Sequence, residues 1–452
     1  MNITHFHFQP YSLQVHPPLP TARGEVTHRQ GFWIRVARDS LMGWGEAAPW
    51  PELGTETLAH CQALLESWQR QAERAEKRGI PGKELLAQAL ACPAARHGLD
   101  MALADLAAQQ AGLPLADWLL NQPQGSEDAQ EDREAREARD MATPWPNAEQ
   151  QKARLEAKDR VAVNGLIGAL EAEEAAQQAQ ALVGQGFHTL KIKLRGGQEH
   201  QASDLARVRA VAERVCLPAA NPARLRLDVN GAWNLPQAKA MMDQIVLQGQ
   251  AMPRPKDAVK EGNREESARK EGDIKEGDGK EFLKYLEYVE QPLPPGDPGW
   301  AELAQGSPLP LALDESIRRP EDLAWVLETF QRPGFAQPLL VLKPMVLGGI
   351  LPAWELARQA LAVGLDVVVT TTLEGPLARL GALHLAAAVE GWKAEQSKQD
   401  HRPRQSRAHG LAHGHLLSEE LPEGWTQAPT PHQGEMRLPH QHGKRLSGLG
   451  RA

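Results

Sequence analysis

Six charged residues stand at the carboxyl ends of short apolar runs in the middle of the chain. Two lysines close the first run and one residue closes each of four later runs: Lys191 and Lys193, then Asp228, Glu290, Asp314 and Lys343. Three carboxylates brought together repel one another unless a cation lies between them. Several hard oxygen ligands suit Mg²⁺ best and Mn²⁺ next. The residue types therefore predict a divalent-cation site flanked by lysines.

This combination suits removal of a proton from the carbon next to a substrate carboxylate. A divalent cation stabilises the developing oxyanion, and a lysine whose pKa is lowered by burial and nearby positive charge acts as base. Lys191 precedes Lys193 by two residues, so both side chains are expected on one strand face, where Lys191 would supply that charge. Taken singly, strand-end acids usually cap loops or helices and strand-end lysines usually face solvent. Their occurrence together and in order indicates a shared site.

Parallel βα units are predicted for residues 160 to 390, the segment that must position these side chains. Short β-rich runs predict strands at Val161–Ile167, Thr189–Leu194, Arg224–Val229, Leu286–Glu290, Pro310–Asp314, Leu339–Lys343 and Asp366–Thr370. Amphipathic runs predict helices at Ala175–Gly184, Ala202–Val215, Pro320–Phe330 and Leu351–Val363. The predicted fold class is α/β, a (β/α)8-type barrel with its eighth unit around Ala408–Leu411. The carboxyl ends of barrel strands form one rim, which would gather the six residues.

Further domains are predicted on both sides of the barrel, which is assigned to residues 160–418. Residues 1–125 are expected to form an α+β capping domain, with strands up to about residue 45 and a helix at Ala94–Gly112. Residues 419–452 are expected to return to that domain, with Gly434–Pro439 as a strand. Charge-rich stretches at 126–159, 255–281 and 393–407 cannot bury much apolar surface, so they are predicted to be solvated or disordered.

Local motifs around the six residues resemble the enolase superfamily, in its muconate-lactonising subgroup. In the barrel these motifs are Lys191-Ile192-Lys193, Asp228-Val229-Asn230-Gly231-Ala232-Trp233, Glu290-Gln291-Pro292-Leu293, Asp314-Glu315-Ser316, and Lys343-Pro344 followed by Gly348-Gly349. The capping-domain motifs are residues 43–49, GWGEAAP, and residues 98–106, GLDMALADL. Three further segments look like o-succinylbenzoate synthase, namely Lys343-Pro344-Met345, residues 370–377 and residues 409–417.

The resemblance implies a reaction and a role for each residue. The reaction is dehydration of 2-succinyl-6-hydroxy-2,4-cyclohexadiene-1-carboxylate to 2-succinylbenzoate, in menaquinone or phylloquinone biosynthesis. By resemblance, Mg²⁺ is held by Asp228, Glu290 and Asp314. Lys193 would remove the α-proton and Lys343 would face the opposite side of the ring. The sequence does not decide which lysine is acid and which is base at each step.

Five other residues are candidates for substrate contacts, namely Arg226, Asn230, Thr371, Thr372 and Arg23. Arg226 shares a strand face with Asp228, so it is expected either near the carboxylates and substrate or in a buried ion pair. Asn230, which follows Asp228 in its motif, is expected either to support the metal ligands through its side chain or to serve only as a turn residue. The two threonines would offer hydroxyl or backbone N–H groups, although β-propensity also explains threonine there. Arg23 lies in the loop, residues 19–24, by which the capping domain would cover the substrate.

Composition excludes several classes of partner. The net charge of −8 carries no basic block, so nucleic acid is not expected. Three widely spaced cysteines predict neither disulfides nor structural zinc, which indicates a reducing cytoplasm. No leader peptide and no apolar run of membrane-spanning length is expected. The predicted partner is a small-molecule carboxylate, and the oligomeric state is not predicted.

Two other functions use the same features. A racemase or epimerase of N-acylamino acids or dipeptides also needs two lysines on opposite faces of an α-carbon. Residues 370–377 and 408–411 contain no Asp-rich motif of the kind that dipeptide epimerases use for a substrate ammonium group. A noncatalytic scaffold with a barrel fold needs neither the lysines nor the carboxylates.

Overall fold

The computed structural model describes most of the chain. The described residues are 1–21, 24–75, 78–122, 159–216, 222–251, 282–401, 403–418, 420–422, 425 and 428–438. The predicted insertion at 255–281, and all but the last residue of that at 126–159, lie outside them. Among the described helices, none is long and apolar enough to cross a membrane.

Strands and helices alternate along the described barrel region, after an N-terminal region that contains long strands. The strands are β1 Asn2–Ile3, β2 His5–Thr21, β3 Gly24–Arg38, β4 Leu41–Ala47, β5 Ile80–Pro81, β6 Arg160–Ala162, β7 Gly165–Ile167, β8 Thr189–Lys193, β9 Arg224–Asp228, β10 Leu286–Glu290, β11 Leu311–Leu313, β12 Leu339–Leu342, β13 Val367–Val369 and β14 Glu435–Arg437. The α-helices are α1 Leu58–Ala75, α2 Gly82–Ala87, α3 Pro93–Gln110, α4 Leu115–Leu120, α5 Ala172–Gly184, α6 Gln201–Val215, α7 Leu235–Ala251, α8 Trp300–Gly306, α9 Asp322–Phe330, α10 Pro344–Leu347, α11 Ile350–Ala362 and α12 Pro376–Gln399.

The barrel is a curled parallel sheet in which neighbours in sequence are neighbours in space, from β7 through β13. Two parallel bridges close the ring: His409 pairs with Val163 beside β7, and Gly410 pairs with Thr370 beside β13. The eighth unit thus lies at 408–411, as predicted. Buried side chains of four adjacent strands form a cluster inside the sheet, namely Tyr288, Ala312, Leu339, Val341 and Val368. The predicted fold class is confirmed.

The N-terminal domain packs α3 against the antiparallel sheet β2-β3-β4. The contact is close because glycines face α3. A Cβ on Gly43 would lie 2.0 Å from the Ala102 carbonyl oxygen, and a Cβ on Gly45 would lie 1.9 Å from that of Gly98. Only glycine fits at such a separation. The end of the barrel region contacts this domain through a bridge between Leu417 and Val15, and in the C-terminal segment the Trp425 ring lies 5.9 Å from that of Trp44.

The structure corrects one prediction about the C-terminal half entirely and another in part. The strand expected at 434–439 forms at 435–437, but it pairs antiparallel with β6 beside the barrel and not with the N-terminal domain. The stretch 393–407, expected to be solvated or disordered, continues α12 as far as Gln399, and its described residues after Lys393 are exposed or half-buried. Lys393 in this stretch is 3% exposed and bonds to Asp366 at 2.7 Å and Glu390 at 3.1 Å. A buried lysine is tolerated here because two carboxylates face it.

Candidate active site

The register of the parallel strands brings the predicted residues to one rim. Lys193 on β8 is level with Asp228 on β9, and Asp228 is level with Glu290 on β10. Asp314 follows the end of β11, and Lys343 follows the end of β12. Parallel strands end at the same edge, so a charged residue at the end of each short strand, or directly after it, is enough to build this cluster.

Each of the six charged side chains takes part in an ion pair, and the pairs form two groups. Lys191 Nζ lies 2.8 Å from Asp228 Oδ2 and 2.7 Å from Glu290 Oε1. Lys193 Nζ lies 2.5 Å from the same Asp228 oxygen. On the other side, Lys343 Nζ lies 2.6 Å from Asp314 Oδ2. The three carboxylates are buried, so these charges interact with little screening by water.

Burial and charge shift the pKa values of these groups in different directions. Burial opposes ionisation of Asp228, but Lys191 and Lys193 outweigh it and its pKa is lowered. For Glu290, burial and then the charge of Asp228 raise the pKa to about 8. Burial would lower the pKa values of Lys191 and Lys343, but the carboxylates raise both. The carboxylates thus favour the charged form of both lysines.

The donor set has the chemistry that a hard divalent cation needs. Glu290 Oε2 is buried and has no hydrogen-bond partner among the described residues. A lone buried carboxylate oxygen is costly unless a cation or donor reaches it. Among the described residues, no three acidic, histidine or cysteine side chains are arranged as ligands around one metal position. The ammonium groups of Lys191 and Lys343 lie against the rim carboxylates. Asp228, Glu290 and Asp314 therefore fit the predicted ion by ligand type and position on the rim.

Asn230 links the base candidate to a fourth acidic residue. Its Oδ1 accepts a hydrogen bond from Lys193 Nζ at 2.8 Å, and its Nδ2 donates to Glu315 Oε1 at 3.0 Å. The Asn230 backbone has φ of +52°, a left-handed conformation that asparagine tolerates better than most residues. The chain turns there so that the amide faces back towards Lys193. Asn230 is thus positioned to orient the lysine as well as to form the turn.

Gln291 was not predicted to be a site residue, although it directly follows Glu290 in the motif at 290–293. Its Oε1 accepts from the backbone N–H of Asp314 at 2.9 Å and of Ser316 at 3.1 Å, and its Nε2 donates to Ser316 Oγ at 2.7 Å. This fully buried amide fixes the segment that carries Asp314. The one available signal was its position directly after Glu290.

Arg226 forms the buried ion pair, the second of the two arrangements expected for it. Its Nε lies 2.7 Å from Glu287 Oε2, and its Nη1 donates to Asn164 Oδ1 at 3.2 Å. The guanidinium carbon also lies 4.9 Å from the centre of the Tyr288 ring. These contacts hold neighbouring strands together, and no contact with the rim carboxylates accompanies them among the described side-chain hydrogen bonds.

The threonines at the end of β13 make contacts of different kinds. Thr371 Oγ1 lies 3.3 Å from His413 Nδ1, whereas Thr372 Oγ1 donates to Glu374 Oε2 at 2.8 Å. His413, which the sequence reasoning missed, has its pKa lowered to about 3 by burial and then by the positive charges of Lys191 and other cations. Its neutral imidazole thus belongs to the rim. Arg23, the remaining candidate, lies outside the described residues.

Family models match both halves of this architecture. The model described as enolase C-terminal domain-like matches residues 174–251 and 279–444, which is more than half of the chain. The model described as MenC, N-terminal domain, matches residues 4–106.

Curated relatives carry two different activities. An o-succinylbenzoate synthase of Thermobifida fusca is 33% identical over 233 residues, which are 51% of this chain and 57% of that protein. An L-Ala-D/L-Glu epimerase of Bacillus subtilis is 27% identical over 383 residues, which are 82% of this chain and 81% of that protein. A dipeptide epimerase structure from Enterococcus faecalis, complexed with Mg and L-Leu-L-Tyr, aligns with a TM-score of 0.68 at 20% identity, over 98% of this chain and 99% of that one. The last likeness shows the shared fold, and the family match shows that this chain belongs to the enolase superfamily.

Proposed function

We propose that this chain is an o-succinylbenzoate synthase, a Mg²⁺-dependent hydro-lyase. It would dehydrate 2-succinyl-6-hydroxy-2,4-cyclohexadiene-1-carboxylate to 2-succinylbenzoate, in menaquinone or phylloquinone biosynthesis. The observation that carries the proposal is the cluster of three buried carboxylates on consecutive strands with lysines on both sides, Lys193 before the trio and Lys343 after it. The N-terminal family match and the Thermobifida relative support the synthase within the superfamily.

Asp228, Glu290 and Asp314 would hold the ion, as suggested also by the Mg in the Enterococcus epimerase structure. When bound, Mg²⁺ stabilises negative charge on the substrate carboxylate oxygens. Lys193, oriented by Asn230, would take the proton from the carbon that bears the carboxylate. The electron pair of that C–H bond moves towards the carboxylate to give an enediolate, and its return forms the new ring double bond as the neighbouring C–O bond breaks. The hydroxide leaves as water after receiving a proton, which Lys193 can return in a syn elimination.

Lys343 would act as a fixed cation on the other side of the ring. Its pKa is raised because the charge of Asp314 outweighs its burial, so it stays protonated at neutral pH. A protonated lysine stabilises an enediolate but cannot accept a proton. We assign the roles of acid and base to Lys193, which Asn230 orients, and the role of electrostatic partner to Lys343. The cytoplasmic location predicted from the cysteines accompanies this proposal; all three are free.

A dipeptide or N-acylamino acid epimerase is the second candidate, because relatives with that activity align over most of the chain. A dipeptide brings an ammonium group, which needs an acidic partner in the site. In the rim segments 370–377 and 408–418 the only acidic side chain is Glu374, whose Oε2 accepts from Thr372. The closing unit offers His413 at the position facing Thr371. This arrangement favours a substrate without an ammonium group.

The deciding experiment follows aromatisation of the cyclohexadiene carboxylate by ultraviolet absorbance with purified protein. We expect turnover with Mg²⁺, and none after EDTA treatment or in Lys193→Ala. Lys239→Ala serves as the matched control, because Lys239 is an exposed lysine paired with exposed Glu302. Absence of turnover combined with α-proton exchange of dipeptides or N-acylamino acids in D₂O would reject the synthase for the epimerase. Absence of both reactions would reject both enzymes.

A further inference from the structure

Two buried carboxylates of the N-terminal domain reach across to the barrel. Glu46 lies in the middle of the motif at 43–49 and is fully buried, and Asp100 lies in the motif at 98–106 and is 3% exposed. Neither belongs to the cluster on the rim. Buried carboxylates need strong hydrogen-bond donors, and both of these carboxylates accept from backbone N–H groups at the starts of barrel helices.

Glu46 caps the amino terminus of α12. Its Oε1 accepts from Gly375 N at 2.5 Å, and its Oε2 accepts from Leu377 N at 3.1 Å and Ala378 N at 3.0 Å. The Tyr11 hydroxyl donates to Oε1 at 2.5 Å. These backbone groups are those that a helix leaves unpaired in its first turn, and no side chain of α12's own N-cap residue serves them.

Asp100 performs the same task for α11. Its Oδ2 accepts from Leu351 N at 3.0 Å in the first turn of that helix. Nearby, Arg96 Nη1 donates to the Gly348 carbonyl oxygen at 3.2 Å. Two adjacent barrel helices are thus capped by carboxylates from one domain, and a negative charge at a helix amino terminus is favourable.

Glycines at the contacts make room for these carboxylates. A Cβ on Gly375 would lie 2.7 Å from Glu46 Oε1, and a Cβ on Gly349 would lie 2.4 Å from Asp100 Oδ2. Any side chain at either position would displace the carboxylate. The two glycines and the two acids therefore match each other across the domain interface.

The capped helices begin directly after the parts of the rim that carry site residues. Lys343 precedes α10, and α11 begins at Ile350 after a two-glycine turn. Thr371 and Thr372 lie between β13 and the start of α12. We propose that Glu46 and Asp100 are positioning residues, through which the N-terminal domain fixes the rim segments 343–351 and 370–378 for catalysis. The catalytic part of this inference depends on the proposed function.

Glu56 provides a matched control for the test. It is a buried glutamate that accepts from Ala94 N at 3.0 Å and Ala95 N at 2.8 Å, so it caps α3 inside the N-terminal domain. Glu56→Gln disturbs the same type of cap with no direct effect on the barrel helices. Glu46→Gln and Asp100→Asn keep the size of the side chain and one acceptor oxygen, so the chain should still fold.

The experiment combines steady-state kinetics with amide hydrogen exchange of the three full-length variants. In Glu46→Gln we expect faster exchange at 370–378, and in Asp100→Asn faster exchange at 343–351. Because misplacement by about 1 Å can cost 100-fold in rate, we expect kcat to fall about 10- to 100-fold in both. Glu56→Gln should change neither the exchange of these segments nor kcat.

Two results would overturn the proposal. One is unchanged exchange at both segments, and the other is an equal loss of kcat in Glu56→Gln, which would indicate a general loss of stability. If the wild-type protein has no turnover at all, the proposed function fails, and the exchange data alone decide whether the carboxylates hold the rim segments.

Discussion

Replacement of Lys393 by methionine tests whether the end of α12 belongs to the core. Lys393 Nζ bonds to Asp366 at 2.7 Å, Glu390 at 3.1 Å and the Val367 carbonyl oxygen at 3.3 Å. Methionine keeps a similar length but donates to none of them. Removing one partner of a buried ion pair costs about 3–5 kcal/mol. Because Asp366 keeps Arg407 and Glu390 keeps His409, we expect the lower end, about 3 kcal/mol.

The free energy of unfolding, measured by urea titration, gives the comparison. Lys239→Met is the control, since it removes an equally short ion pair between two exposed residues and should cost at most about 1 kcal/mol. We also expect faster amide exchange around His409, whose Nδ1 accepts from Val369 N, because Glu390 holds the opposite ring nitrogen. Equal losses in the two variants would refute the assignment of Lys393 to the core.

Three further predictions concern pH, metal and the base. Although burial opposes it, contacts with His409 and Lys393 lower the pKa of Glu390 to about 2. Ionised Glu390 therefore contributes up to about 3 kcal/mol to the free energy of unfolding above about pH 4.5, and this contribution is lost as pH falls towards 2. The free energies of unfolding of wild type and Glu390→Gln should converge in acid, and parallel curves would contradict this. Glu290, with its pKa raised to about 8, would have to lose a proton to bind Mg²⁺. The affinity for Mg²⁺, measured by calorimetry, should therefore rise about tenfold per pH unit up to about pH 8, and equal affinities at pH 6 and 8 would contradict this coupling. Asn230→Ala should lower kcat with little change in KM, because Lys193 loses a hydrogen-bond partner at 2.8 Å. The control Asn234→Ala removes an exposed helix cap and should leave kcat unchanged. Equal effects of the two substitutions would argue against orientation of Lys193 by Asn230.

Much of the barrel was predictable because each strand is a short apolar run. The strand predicted at Val161–Ile167 nevertheless divides into β6 and β7. Asn164 lies at the break, where its N–H donates to the His409 carbonyl oxygen at 3.0 Å. That partner is distant in sequence, so no local pattern reports it. In the stretch 393–407, the burial of Lys393 was missed for the same reason, since a dense run of charge does not reveal that its lysine meets two carboxylates.

The site followed from the sequence to the extent that its residues stand at strand ends. Their assembly at one rim needed only the order of parallel strands. Partner choice was not predictable, because it depends on side-chain direction across neighbouring strands. Arg226 illustrates this, since its strand face is shared with Asp228 but its guanidinium pairs with Glu287. The role of Glu46 and Asp100 was hidden for a further reason: their partners are backbone N–H groups, which leave no signature in residue type.

Lys191 shows how the structure changes the chemical argument. The sequence suggested that its positive charge lowers the pKa of Lys193. In the structure it lies between Asp228 and Glu290 and offsets the repulsion of those two acids. A cation that binds the same carboxylates would take over that task and weaken their attraction for both lysines. The positive charge of Lys191 would then act more fully on Lys193, two residues away on the same face. A bound cation would thus compete with both lysines for the Asp228 carboxylate, which links proton abstraction by Lys193 to a metal-loaded site.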